Sequence, residues 1–344
     1  MNDLFGIIEF TEENEIKLSQ VNKDNYIKYR KKHMVKKVMS PMKRYDNYRK
    51  LKRMYKKKRI TITRLIMLKN RGINNQLLRL MSGTGNINLV NFLILEGANW
   101  WNQGLYEACK FGHINIINLM IYQGACSMDL GLGGSCRGGH MDIVEYMIFK
   151  GAKWWDFGLY KACKGGHIDI AYLMISKGAW LENGFRGVCA GGNEDLMEII
   201  NMYMKNEGIR SLGLGLYRAC RGGHRNIIYY IIRLIKYREI CYDCNLGLFG
   251  ACRGGKKDIV ELMISILEKN QQRPNWNEGL YEACRGGNES IVDIMIRNGA
   301  NNWNKGLYGA CQGGYRKLIR KMISRGATLC DYCREEHGQA STFF

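Results

Sequence analysis

Proline is scarce in this chain of 344 residues, which contains only Pro41 and Pro274. Because proline removes a backbone donor and breaks helices, its scarcity favours a mostly helical protein. The sequence also has no apolar run approaching about 18 residues, so we predict no membrane-spanning helix. The start, MNDLFGIIEFTEENE, lacks the basic region and apolar run of a secretory signal, so we expect a protein that is not secreted.

Patterns typical of enzymes are missing as well. There is no GxxxxGK[ST] phosphate loop, no HExxH zinc motif and no Ser/His/Asp set. The many glycines recur at a fixed period, which indicates turns. Four of the six histidines recur with them in a Gly-His pair: His113, His140, His167 and His224. A catalytic histidine would be singular, so we expect no enzyme and no cofactor.

Cysteine is abundant, with 13 residues, but its spacing argues against a disulfide scaffold. Eight cysteines recur at one position of a repeated unit: Cys109, Cys136, Cys163, Cys189, Cys220, Cys252, Cys284 and Cys311. A residue that returns at one helical phase acts as a small buried hydrophobe. Free thiols favour a reducing compartment, so we expect a cytoplasmic or nuclear protein.

Two further cysteine pairs have the spacing of zinc ligands: Cys241 with Cys244, and Cys330 with Cys333. A structural zinc site needs four ligands. The pairs lie three units apart, about 30 Å if neighbouring helices pack at their usual separation, so they cannot share one ion. The C-terminal pair has only His337 as a third ligand. We therefore predict no metal site.

A unit of about 27 residues dominates the chain from residue 104 onwards, as expected for a repeat array. Each copy has a leading glycine, at Gly104, Gly131, Gly158, Gly184, Gly215, Gly247, Gly279 and Gly306. Residues 77–98 form a degenerate copy that precedes these eight. The chain is therefore expected to contain about nine units.

Each unit is predicted to be two helices. In the copy that begins at Gly131, a glycine pair follows a short first segment and marks a turn. Ile143, Val144, Met147 and Ile148 then occupy one face of a second helix. That helix is expected to end at Gly151, a glycine suited to a left-handed C-cap.

The unit resembles the ankyrin repeat. The family pattern LHxAAxxGHxxIVxxLLxxGA aligns without a gap with residues 159–179, LYKACKGGHIDIAYLMISKGA, and the register holds over roughly residues 77–327. The family's Thr-Pro is absent, and the segment between units is shorter than in a 33-residue ankyrin unit, so projecting β-turns should be short. The compact units are similar to those in repeat proteins of large DNA viruses.

This resemblance implies an all-α fold, an α-solenoid of about nine stacked helix–turn–helix units. We expect three regions: a basic, partly helical segment or cap at 1–72, the solenoid at 73–329 and a tail at 330–344. The implied function is a non-enzymatic protein–protein interaction scaffold, in a host cell if the protein is viral. It would bind a protein partner of unknown identity through a concave surface formed by first helices and loops.

The charge of the chain is concentrated near its N-terminus. Residues 17–71 carry 21 Lys/Arg against two acids, which gives +19 of the net charge of +21. The densest clusters are Lys31, Lys32, Lys36, Lys37, Lys56, Lys57, Lys58 and Arg59. Three interpretations remain open: nucleic-acid binding through phosphate neutralisation, a nuclear import signal, or the solvated face of capping helices.

Two sets of residues in the repeats are candidate partner contacts. Trp100, Trp154 and Trp180 occupy a slot between units that is elsewhere polar, so they form either an exposed aromatic patch or simple loop packing. A basic residue follows the repeat cysteine in six units: Lys110, Arg137, Lys164, Arg221, Arg253 and Arg285. These six form either a stripe for an acidic partner or a solvated helix face.

Weaker candidates lie on the first helices: Tyr106, Glu107, Tyr160, Lys161, Tyr217, Arg218, Tyr281 and Glu282. The other four tryptophans, Trp101, Trp155, Trp276 and Trp303, are expected to be core positions within the loops between units. Two other functions remain open beside the scaffold. One is a nucleic-acid-associated protein that acts through the basic segment, and the other is a virion or assembly component.

Overall fold

A computed structural model describes residues 71–206, 212–237 and 243–328. Within these ranges the chain forms 18 α-helices and one short 3₁₀ turn at Glu194–Leu196, without a β-strand. The helices follow one another as nine pairs, so the predicted all-α array of about nine units is confirmed. The clusters between Lys31 and Arg59, with Cys241, Cys330, Cys333 and His337, lie outside the described residues.

In each pair an odd-numbered first helix precedes an even-numbered second helix. The helices are α1 (Arg71–Ser82), α2 (Ile87–Leu95), α3 (Trp101–Phe111), α4 (Ile114–Tyr122), α5 (Met128–Gly138), α6 (Met141–Phe149), α7 (Trp155–Gly165), α8 (Ile168–Ser176), α9 (Leu181–Gly191), α10 (Met197–Asn206), α11 (Leu212–Gly222), α12 (Arg225–Tyr237), α13 (Asn245–Gly254), α14 (Lys257–Lys269), α15 (Trp276–Gly286), α16 (Glu289–Arg297), α17 (Trp303–Gly313) and α18 (Arg316–Ile323).

One core runs along the array between the first and second helices. In the fourth unit Leu159, Ala162 and Cys163 of α7 are fully buried, and they pack with Ile170 and Met174 of α8. All eight repeat cysteines are buried, as their recurrence predicts. Each first helix also packs on the first helices before and after it, which makes the core continuous.

The leading glycines lie inside the first helices, so the expectation that all the glycines mark turns is wrong. A Cβ atom on Gly131 would lie less than 3.0 Å from the sulfur of Met147, which belongs to the second helix of the same unit. Met120, Met174, Met295 and Met322 approach the equivalent glycines in the same way. The glycine weakens the helix by about 1 kcal/mol but makes room for the buried methionine.

The Gly-Gly-His turn is built as predicted. Gly138 ends α5, and Gly139 adopts a left-handed conformation with φ of 82°. His140 is the N-cap residue of α6, as His113 and His167 are for their second helices. The ring of His167 lies over Gly139 of the preceding unit, so the histidines are structural turn residues.

The connections between units are held by a polar ladder. The Asp129 carboxylate accepts hydrogen bonds from the backbone N–H groups of Lys153 (2.6 Å) and Trp154 (2.9 Å) in the next loop. The amide oxygen of Asn277 accepts bonds from the next loop in the same way. Each donor lies 24 or 25 residues after its acceptor, so the ladder fixes the step from one unit to the next.

The expectation that all seven tryptophans lie in loops is also wrong. Trp101, Trp155, Trp276 and Trp303 are the first residues of α3, α7, α15 and α17, and they pack against the core. Their predicted role as core positions between units is confirmed. Only Trp100, Trp154 and Trp180 precede their helices, as N-cap residues.

A second period, two units long, is superimposed on the first. The residue two positions after the recurring core leucine or phenylalanine alternates between a charged residue and glycine: Glu107, Gly134, Lys161, Gly187, Arg218, Gly250, Glu282 and Gly309. A Cβ atom on any of these four glycines would lie less than 3.0 Å from the carbonyl oxygen of a tyrosine in the preceding first helix. At every second step of the array, two consecutive first helices therefore approach each other backbone to backbone.

We predict that Gly134→Ala lowers the free energy of unfolding by about 1–3 kcal/mol, because the methyl group meets a backbone carbonyl that cannot rotate away. This loss is expected despite the roughly 1 kcal/mol that alanine adds to helix propensity. Gly131→Ala is the matched control, because its methyl group meets the flexible thioether of Met147. Urea denaturation followed by circular dichroism should show the larger loss for Gly134→Ala, and equal losses would contradict the close backbone approach.

Thiol reactivity should distinguish the exposed Cys126 from the eight buried repeat cysteines. Burial raises the pKa of Cys136 and Cys163 to about 12, whereas Cys126 is exposed. Because the thiolate is the reactive form, we expect brief iodoacetamide treatment of the folded protein at pH 7.5 to label Cys126 and leave the eight repeat cysteines unmodified. Peptide mass spectrometry measures this, with labelling in urea as the control. Rapid labelling of several repeat cysteines would contradict their burial in the core.

Candidate partner-binding surface

The predicted basic stripe occupies one surface of the array, which we call the first-helix surface. All six residues lie in the last turn of a first helix, and each directly follows the repeat cysteine: Lys110, Arg137, Lys164, Arg221, Arg253 and Arg285. Since consecutive first helices pack side by side, these residues follow one another along the surface. Arg221 is exposed and the other five are half-buried.

Lys161 of α7 lies at the centre of the N-terminal part of this surface. Its ammonium group is 4.8 Å from the ring centre of Phe157, 5.1 Å from that of Tyr106 and 5.8 Å from that of Tyr160. The helix between Lys161 and Tyr106 is α5, which has only glycine at positions 133 and 134. The ring of Phe157 lies against Gly133 and the backbone of Tyr106 lies against Gly134, so α5 places no side chain of its own at these two positions between Lys161 and Tyr106.

We call Lys110, Arg137, Lys161 and Lys164 the lysine cluster. Burial lowers the pKa of Lys161 to about 8, and repulsion from Lys164, Arg137 and Lys110 adds to this effect. Glu107 opposes it, but that carboxylate is 2.7 Å from Arg79 and 3.9 Å from Lys110. Among the described residues no carboxylate lies within ion-pair distance of Arg137, Lys161 or Lys164, so three of the four cations lack a counter-ion.

Contacts between tyrosine and a cation continue the pattern along the array. Arg218 of α11 donates a hydrogen bond of 3.1 Å to the hydroxyl of Tyr160 on α7, and its guanidinium lies over that ring. Arg253 of α13 donates a bond of 3.2 Å to the hydroxyl of Tyr217 on α11. The Lys161–Tyr106 and Arg218–Tyr160 contacts each join units two apart, so neither is visible in the sequence of a single repeat.

The C-terminal part of the surface has its own carboxylate. Glu282 of α15 is nearly buried and lies 3.6 Å from the guanidinium of Arg253. Burial raises the pKa of Glu282, while the charges of Arg253, Arg285 and Arg221 lower it and favour the carboxylate. Three basic residues of the stripe therefore surround an internal acid here, and Glu282 occupies the repeat position that Lys161 fills in the lysine cluster.

The predicted tryptophans are exposed at the edge formed by the loops. Their exposed fractions are 39% for Trp100, 57% for Trp154 and 67% for Trp180. Trp154 packs edge-on against Phe157, with ring centres 6.3 Å apart, beside an open depression of about 380 Å³. Phe157 also lies beside Lys161, so it links Trp154 to that lysine. Trp100 is set apart, because Ser127 occupies the slot between it and Trp154.

The described part of the chain contains neither a metal site nor a membrane-spanning helix. No group of three His, Cys, Asp or Glu residues there has the arrangement of a metal site. Cys244 is buried beside α13, and its predicted sequence partner Cys241 is outside the described ranges. No described helix is long and apolar enough to cross a membrane.

The pH dependence of stability should report the burial of Lys161. Its folded pKa of about 8 lies below the ordinary lysine value, so the unfolded chain binds more protons between pH 8 and about 10.5. This group therefore makes the fold more stable as pH rises through that range. We expect Lys161→Met to be more stable than the wild type at pH 7 and to lose most of that advantage by pH 9.5. Thermal unfolding of both proteins at each pH measures the difference, and a difference that does not depend on pH would contradict it.

No protein-family model matches the chain, and no curated protein matches it. Among solved structures the chain is similar to the human ASB11 ankyrin repeat domain, with 16% identity over 58% of this chain and 99% of that one. The TM-score is 0.33, which is too low to support an argument about function. The geometry of the chain itself shows the repeat class: paired short helices, left-handed glycines and stacked first helices. The described residues form an ankyrin-like helical repeat array.

Proposed function

We propose that this protein is a protein–protein interaction scaffold that binds an acidic partner through the first-helix surface. The observation that carries the proposal is the lysine cluster, in which three of four cations lack a counter-ion among the described residues. A folded protein gains nothing from holding like charges together, because their repulsion opposes folding. A partner that supplies negative charge to this surface would relieve the repulsion.

The aromatic residues beside the cluster support the same conclusion. Tyr106, Phe157 and Tyr160 surround Lys161, and Trp154 extends the group to the loop edge. Tryptophan, tyrosine and arginine are the residues most enriched at the energetic centres of protein interfaces. A surface that combines them with unpaired cations suits an acidic protein better than a small apolar ligand.

A merely solvated basic face would look different. Lysines on such faces keep the ammonium group in water while the stem covers apolar surface. Lys161 instead holds its charged end among aromatic rings, where burial lowers its pKa. Arg218 is likewise held against Tyr160, and its Nε is buried without a hydrogen-bond partner. These side chains are fixed in place, which reduces the entropy lost on binding a partner.

The proposal can be tested by affinity capture with the full-length protein. We expect the double variant Arg137→Glu/Lys164→Glu to recover its main partner at least about tenfold less than the wild type, which corresponds to roughly 1.4 kcal/mol. The matched control is Lys150→Glu/Lys177→Glu, which makes the same charge change at exposed positions following α6 and α8. Quantitative mass spectrometry of nuclease-treated extracts measures recovery.

Equal loss in both variants would show a non-specific charge effect and would contradict the proposal. Equal recovery of the partner by the wild type and both double variants would show that the partner binds another surface. Nuclease treatment removes proteins captured through nucleic acid on the basic segment at residues 17–71. Binding of nucleic acid there, nuclear import and a role in virion assembly remain predictions from sequence alone.

A further inference from the structure

We infer that the lysine cluster binds a carboxylate of an extended acidic segment in the partner protein, and that every third residue of this segment carries a carboxylate. This inference rests on the proposed function and names the chemistry of the partner. It is drawn from a comparison that the repeats themselves provide, since the same surface occurs with and without an internal carboxylate.

At the C-terminal end of the surface a carboxylate already occupies the equivalent place. Glu282 lies 3.6 Å from Arg253 and within the influence of Arg221 and Arg285. At the N-terminal end Glu107 plays this part for Arg79, at 2.7 Å. Where the chain supplies a carboxylate at this repeat position, as at Glu107 and Glu282, a basic side chain of a neighbouring first helix pairs with it. At position 161 the chain supplies a lysine instead, so the carboxylate there has to come from outside.

The spacing of the cations in the basic stripe favours one conformation of the bound segment. Packed helices lie about 8–10 Å apart, so the cations that follow the repeat cysteine recur at about that interval. A chain in the polyproline II conformation advances about 9.3 Å in three residues and returns each third side chain to the same face. An extended acidic segment with this period can therefore place successive carboxylates near Lys110, Arg137 and Lys164.

Lys161 makes the binding sensitive to pH. The charged and titratable groups that act on it are Lys110, Tyr106 and Glu107 from α3, Arg137 from α5, and Lys164 and Tyr160 from α7. An added carboxylate favours the protonated amine, so binding is accompanied by proton uptake above pH 8. Affinity should fall as pH rises from 7 to 9, when Lys161 loses its charge in the free protein.

The test uses the full-length protein and a labelled 12-residue peptide with glutamate at positions 1, 4, 7 and 10 and neutral residues elsewhere. Fluorescence anisotropy gives the dissociation constant at about 100 mM salt. We expect Lys161→Glu, which places an internal acid as at Glu282, to weaken binding at least about tenfold. Lys177→Glu makes the same change of charge at the exposed end of α8 and should leave the constant within about twofold.

Circular dichroism would report whether Lys161→Glu alters the fold, and two further variants and one further peptide test the inference independently of that variant. Lys161→Gln removes the charge without adding an acid and should weaken binding while abolishing the dependence on pH between 7 and 9. Glu282→Gln frees Arg253 from its carboxylate and should strengthen binding of a longer peptide of the same period. A peptide with its four glutamates contiguous should bind at least about fivefold more weakly.

Equal affinity for the periodic and contiguous peptides would overturn the inference, as would equal effects of Lys161→Glu and Lys177→Glu. Stronger competition by a single-stranded oligonucleotide of the same charge would identify a general polyanion site and would also overturn it. If partner capture depends on Arg137 and Lys164 while no acidic peptide binds, the scaffold function stands and only this inference fails. If neither partner capture nor peptide binding depends on Arg137 and Lys164, both the proposed scaffold function and this inference are wrong.

Discussion

The close approach of two consecutive first helices, repeated in every second step of the array, is the contact on which the rest of the structure depends. Gly134, Gly187, Gly250 and Gly309 each face the backbone carbonyl of a tyrosine in the preceding first helix, at a distance that admits no Cβ atom. Glycine inside a helix carries a cost of about 1 kcal/mol, so its return every second unit indicates a packing requirement. The array is therefore assembled from pairs of units, with tight contact inside a pair.

This pairing also creates the candidate surface. In the second unit of each pair this position is glycine, so the first helix carries no side chain there, and a long charged side chain from the following pair crosses it. Lys161 crosses α5 to the ring of Tyr106, and Arg218 crosses α9 to the hydroxyl of Tyr160. In a simple solenoid each repeat touches only its neighbours. Here the contacts reach the second neighbour, which couples the charges of the surface over three consecutive first helices.

The sequence was sufficient to predict the paired helices, the Gly-Gly-His turns and the buried cysteines, because each depends on a period that recurs in every unit. It led to a wrong interpretation of the leading glycines, since their partner is a methionine 16 residues later, as Met147 is for Gly131. It placed Lys161 among outward candidates but could not show the contact with the ring of Tyr106, which lies on the first helix two units before. The role of Asp129 in the next loop was missed, although an Asp or Asn recurs directly after the first helix residue and was a usable signal.

The charged residues at this position differ between units, whereas the core residues beside them recur. The residue two places after the core leucine is glutamate, lysine, arginine and glutamate in the charged units, while the leucine, alanine and cysteine beside it stay buried. Exchanging Glu282 for the lysine found at 161 would change the local charge by two without replacing any residue of the apolar core. Two unit charges 4 Å apart interact by about 4 kcal/mol at an effective dielectric constant of 20, so such a change is large on the scale of binding energies. A repeat array built this way can acquire a new charge pattern for a new partner at one repeat position while the leucine, alanine and cysteine beside it stay the same.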